Sequence, residues 1–195
     1  MNKNDLRYVK TEKIIKESFI KCVNEIGFEK TTVSMICDKG LISRNAFYLH
    51  FTDKYDLLDR LFDEFRSALI KSYGQNVKES VFKNDVLSST KIYAETLIEN
   101  RSDFLFLIKC SRDKMYSVIQ EVIIDFPNKT MIPDYEEKCK DIKIQLNIKY
   151  MFTAMVAYTE LWFENFDKIS KNDAIFELYN FCEKSTTFFY NRIYK

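Results

Sequence analysis

Apolar residues recur at helical spacing along almost the whole chain. Ile15, Phe19, Cys22, Val23 and Ile26 stand at i, i+4, i+7, i+8 and i+11, which makes one stripe of a helix over 11–27. Gly27 ends that helix, because glycine readily takes the left-handed conformation that follows a helix terminus. Thr31 or Thr32 can cap a short second helix with Val33 and Ile36 turned inward, and Ser43 can cap a third from Arg44 to Leu49. Thr52 or Asp53 opens a fourth, whose stripe of Leu58, Leu61, Phe62, Phe65 and Leu69 carries it to about Tyr73. Gly74 and the polar stretch after it read as a joint. Beyond the joint the pattern predicts helices near 84–100, 102–111 and 113–126, then a loop bracketed by Pro127 and Pro133. One long helix is expected over 135–166, and a last one over 171–192, with Ser170 and Asp173 as a capping box.

Composition agrees with this reading. Three glycines and two prolines in 195 residues leave too few tight turns for a sheet protein. The expected fold is all-α: a small head over 9–69 and a larger helical body over 75–195. Charge adds little. The net charge is +1, and the first 60 residues are only slightly more basic than the rest, so charge alone does not argue for nucleic acid. Cys22, Cys37, Cys110, Cys139 and Cys182 are scattered, odd in number and without a C-x-x-C pair, the pattern of reduced thiols in a cytoplasmic protein. Met1 to Lys13 is polar and charged, unlike a secretory leader. The uncharged run Tyr150–Thr159 is too short to span a bilayer, so no membrane association is expected.

The stretch from Gly27 to Leu58 carries the chemistry. Two short helices joined by a tight turn and braced by a preceding helix make a helix-turn-helix. Phe47 lies three residues after Arg44 and four before Phe51, so it faces inward and leaves Arg44 and Asn45 outward at the start of the third helix. Arginine pairs well with guanine edges and asparagine with adenine edges. Tyr48, His50 and Thr32 are spaced to meet phosphates, as is Lys54 at the head of the fourth helix, where free N–H groups also suit an anion, and Ser43 joins this DNA-binding set as the cap of the third helix.

These residues resemble the DNA-binding head of the TetR family. The resemblance runs over roughly 9–69. It rests on the pair Gly27-Phe28, on Thr31-Thr32-Val33, on the Ser43-capped helix, on Phe47-Tyr48-Leu49-His50-Phe51, and on Lys54. It implies a regulator that binds operator DNA as a homodimer, usually a repressor, released by a small molecule and needing no cofactor. The chain departs from the family where Ala-Gly usually precedes the hydrophobic residue and serine of the turn: here stand Gly40 and Leu41. Asn45 and Ala46 replace the usual glycine and hydroxyl residue early in the third helix. The first departure raises the question whether Leu41 sits at a positive φ.

In the body, residues 144–163 are apolar on nearly every face. A helix apolar all round is buried all round, here against its own domain on one side and a second subunit on another. Ala154 and Ala157 permit close approach, and Ile175, Leu178, Cys182 and Phe189 give the last helix a matching stripe. Tyr93, Phe104, Tyr116, Met151, Met155, Tyr158 and Trp162 are the candidate lining of a cavity for a small apolar or aromatic effector, with Glu95, Glu121 and Glu160 near enough in sequence pattern to pair with a cationic one. A single histidine excludes multi-histidine metal sites and disfavours a histidine-based triad, and no glycine loop for phosphates exists, so an enzyme is not expected. The competing reading is a helical interaction module whose head has lost DNA binding or is controlled by a protein.

Overall fold

The computed structural model describes residues 6–76, 85–125 and 134–193, and side chains within them through 73, 123 and 183. All regular structure among the described residues is helical: α1 Leu6–Ile26, α2 Val33–Gly40, α3 Arg44–Tyr48, α4 Lys54–Asn76, α5 Val86–Glu99, α6 Arg101–Cys110, α7 Arg112–Gln120, α8 Tyr135–Lys138, α9 Ile142–Glu164 and α10 Lys171–Ile193. α7 runs on into one π turn, Glu121–Asp125. The chain divides into two compact units, one of residues 1–64 with 106–111, the other of 65–105 with 112–195. The division therefore falls inside α4. α4 continues through Gly74 to Asn76, past the helix end expected near Tyr73; the rest of the joint expected from Gly74 onward falls on 77–84, and the loop between Pro127 and Pro133 lies within 126–133. Both lie outside the described residues, as does the side chain of Phe189.

The first unit is built around Ile15, Phe19, Cys22 and Val23 of α1, Ile36 and Cys37 of α2, Phe47 of α3, and Leu57, Leu58 and Phe62 of α4, all buried. Phe106 closes this core edge-on against Phe19. Ile26, expected on the α1 stripe, is partly exposed, because the helix ends there and Gly27 turns away at φ 83. The two threonines divide their work. Thr31 is buried and its hydroxyl returns to the Gly27 carbonyl at 2.9 Å, while Thr32 caps α2 by accepting from the Met35 N–H. Asp53 opens α4, its Oδ1 accepting from the N–H groups of Tyr55 and Asp56 at 2.8 Å each.

In the second unit α10 packs on α5 and α9, and α9 also meets α7. Tyr93 sits at its centre, fully buried, its hydroxyl 2.9 Å from that of Thr159, which donates back to the Met155 carbonyl. Phe104 packs edge-on against Phe163. The Arg101 guanidinium bonds the Phe163 carbonyl at the end of α9 and lies over the Phe166 ring. The helix expected unbroken over 135–166 is interrupted at 139–141. There Asp141 turns its carboxylate onto the Lys143 N–H at 2.8 Å and caps a new helix, and the Gln145 side chain donates to the Cys139 carbonyl. Aspartate competes for backbone groups in this way wherever a helix tries to pass through it. α10 begins as periodicity and capping predict: Asp173 N–H donates to Ser170 Oγ at 3.1 Å, and the Ser170 hydroxyl donates to the Asp173 carboxylate.

Candidate nucleic-acid interface

The interface candidate is α3 with the turn before it and the heads of α2 and α4. α2 closes with the Leu41 N–H on the Asp38 carbonyl and the Ile42 N–H on the Cys37 carbonyl. This pairing requires a left-handed residue after the helix. Leu41 takes that conformation, φ 52 and ψ 41, with its side chain 93% exposed. The turn then delivers Ser43, whose hydroxyl accepts from the Ala46 N–H at 3.1 Å and starts α3. Five residues are too few to hold a helix by themselves. Phe47 supplies the rest, fully buried against Tyr48 and Phe51.

Burying Phe47 sets the outward faces of its neighbours. Arg44, Asn45 and Tyr48 are exposed. Arg44 is braced by a 2.8 Å hydrogen bond from its guanidinium to the Ser34 hydroxyl on α2, a partner that spacing within α3 could not reveal. Thr32 and Ser43 are also exposed, and each spends an acceptor lone pair on its cap, leaving the hydroxyl proton to donate.

Two expected phosphate ligands sit differently. Lys54 donates to the carbonyls of Phe28 and Glu29, both at 3.0 Å, with its ammonium 4.6 Å from the centre of the Phe28 ring. It ties the loop after α1 to the head of α4, and one of its three N–H donors remains. His50 is turned inward. Its side chain is 2% exposed, Tyr8 stacks over it with ring centroids 3.9 Å apart, and Nδ1 stands 4.0 Å from Glu12 Oε2. Burial holds its pKa below the ordinary value, Glu12 works against that shift, and Lys16 adds to it. Burial would raise the Glu12 pKa, but the hydrogen bond and charge of Lys16, with Arg60, outweigh it and hold the carboxyl low. Spacing within α3 and α4 gives no hint of Tyr8 or Glu12, since both come from the first turns of another helix.

Residues 20–61 match the family described as bacterial regulatory proteins, tetR family. That span begins inside α1, covers the whole helix-turn-helix and stops inside α4. Over that span the chain is similar to the DNA-binding head of the TetR family. The match covers the TetR head alone and leaves the second unit outside it. No curated protein matches the chain.

Of the seven residues expected to line an effector cavity, Tyr93, Phe104, Met151, Met155 and Trp162 are buried. Tyr158 bonds the Ala174 carbonyl at 2.9 Å. A cavity of about 430 Å³ in the second unit is lined by Gln120, Tyr135, Glu136, Cys139, Gln145, Ile148 and Lys149. Tyr116 and the other six are absent from that lining. No described helix is long and apolar enough to cross a membrane.

Proposed function

We propose that this protein is a TetR-family repressor that binds a palindromic operator as a homodimer in the cytoplasm and leaves it when a small effector binds. The observation that carries the reading is the exposed row Arg44, Asn45 and Tyr48 on a capped, core-anchored α3 within the family match. Arg44 and Asn45 read base edges. Thr32, Ser43, Tyr48 and the remaining Lys54 donor hold phosphates, which position the head without reading sequence.

Support for the dimer comes from α9 and α10. Leu146, Tyr150 and Leu161 of α9 and Phe176 of α10 are more than half exposed, and Tyr150 touches the partly buried Phe181 ring. Large apolar residues grouped in this way mark an interaction surface. A two-fold dimer sets two heads against two half-sites about 34–36 Å apart, which is why a palindrome is expected. For the effector, the buried aromatic and methionine side chains of this unit support a small apolar or aromatic molecule, and the cavity at Glu136 and Lys149 offers a second place, suited to a polar one. α4 belongs to both units and is the covalent path by which such binding could alter the head.

The test is a salt-dependent gel shift on DNA flanking the protein's own gene. Specific binding is expected to exceed binding to random duplex by roughly 10³-fold or more. Equal affinity for both duplexes at every salt concentration would leave the interaction-module reading standing instead.

A further inference from the structure

His50 stands where a phosphate ligand is expected, yet its geometry is that of a clamp. The residue directly follows Leu49, which ends α3, and the Phe47 carbonyl accepts from the N–H groups of both His50 and Phe51. Its ring is 2% exposed and lies under Tyr8, from the first turn of α1. Nδ1 is buried with no hydrogen-bond partner. The ring borders a cavity of about 320 Å³ that is also lined by Tyr8, Glu12, Phe51, Asp56 and Arg60. A buried nitrogen with no hydrogen-bond partner in the protein, on a ring that borders a cavity and stands opposite a carboxylate, needs an explanation.

We propose that His50 is a positioning residue for DNA binding: as a neutral imidazole clamped under Tyr8 it fixes the end of the recognition helix against α1, and its protonation draws it toward Glu12 and weakens operator binding. The proposal rests on the DNA-binding reading of the head. A neutral imidazole can stay buried at the cost of one unsatisfied nitrogen, whereas an imidazolium cannot stay buried without an anion. Glu12 is the anion at hand. Its Oε1 is held 2.6 Å from Lys16, which is itself held 2.6 Å from Glu64, and its Oε2 is turned toward His50. Closing 4.0 Å to a charge-assisted hydrogen bond of about 2.8 Å requires a shift of roughly 1 Å. Lys16 and Glu64 anchor Glu12, so the shift falls on His50 and through it on the end of α3.

The charged and titratable groups facing the ring are Tyr8, Glu12 and Lys16 from α1, and Asp56 and Arg60 from α4. Asp56 is engaged by the Thr52 N–H at 2.7 Å. Histidine alone among these changes charge between pH 5 and 8 in ordinary surroundings. The ring's burial moves that change to the acid side of its usual value.

The chain contains one histidine, so a single imidazole signal in the full-length protein reports on it. The first measurement is a proton NMR titration of that signal. The midpoint is expected below the usual value, lower still in Glu12→Gln, and back toward the usual value in Tyr8→Ala. An ordinary midpoint that both variants leave unmoved overturns the clamp. The second measurement is binding to duplex from beside the protein's own gene, at pH 8 and pH 5 and over a range of salt. Wild type is expected to lose about tenfold in affinity on acidification. His50→Gln is expected to bind a few-fold more weakly at pH 8, to lose the pH dependence, and to keep the wild-type salt slope. A slope lower by about one unit in His50→Gln is what a phosphate contact predicts, and that result overturns the proposal. A duplex that binds no better than random DNA at pH 8 sinks the regulator reading, while the NMR titration still decides the clamp.

Discussion

Leu41 carries two costs at one position: a left-handed backbone and a large apolar side chain in water. The glycine that could have relieved the first stands one residue earlier, at Gly40, and is needed there. A Cβ on Gly40 would come within 2.8 Å of Ser18 Oγ and 3.1 Å of Ile14 Cγ2, so α2 can lie this close to α1 only without one. Leu41→Gly is therefore expected to stabilise the protein by up to about 1 kcal/mol, the left-handed penalty of ~1–2 kcal/mol less the added flexibility of the unfolded chain. Gly40→Ala is expected to destabilise by about 1–3 kcal/mol through overpacking. Urea midpoints measured with an unchanged slope check both. Lys54→Ala removes two hydrogen bonds to the loop after α1 and is expected to cost about 1–2 kcal/mol. It should also lower the salt slope of DNA binding by about one unit; an unchanged slope would restrict Lys54 to holding that loop. His50 adds a pH term. Its folded pKa lies below the unfolded value, so the unfolded chain binds more protons near neutrality and stability rises with pH. That stability is complete above about 6.5 and is lost as pH falls through the folded value. Glu12, whose pKa is held low, loses its contribution only in more acid solution, so a fall in urea midpoint between pH 6.5 and 5 that is absent in His50→Gln isolates the histidine.

At the scale of elements, short helices depend on their ends. α3 has five residues and relies on Ser43 for its start. Ser43→Ala is expected to cost about 1 kcal/mol and to weaken DNA binding through the loosened helix as well as through the lost hydroxyl. The same substitution at Ser170, which caps a helix of 23 residues, should cost a similar amount in urea unfolding and leave DNA affinity alone. A loss of affinity in Ser170→Ala comparable to that in Ser43→Ala would show that the two units do not behave separately.

For the whole molecule, the exposed apolar row on α9 is the feature that needs a second copy. Leu161 is 64% exposed in the single chain. Leu161→Glu places a charge in the proposed interface and is expected to convert a dimer at micromolar concentration into a monomer, read by light scattering. Operator affinity should fall with it, because each half-site then has to be held alone. A wild-type protein that scatters as a monomer ends the dimer reading. An effector at one hundred times its Kd should add about 2.7 kcal/mol to stability, visible as a raised melting temperature.

What periodicity determined was local. A stripe at 3.6-residue spacing names the inward face of a helix, and serine, threonine or aspartate at its head names the cap, so α1 to α4 and the start of α10 could be read in order. The inward Phe47 and outward Arg44 and Asn45 follow from the same spacing. What tertiary structure decided was every feature that depends on another element. Ser34 braces Arg44 from α2, Tyr8 and Glu12 enclose His50 from α1, and Gly40 answers to Ser18. Asp141 breaks a helix that apolar spacing alone would continue, because its carboxylate competes for the backbone.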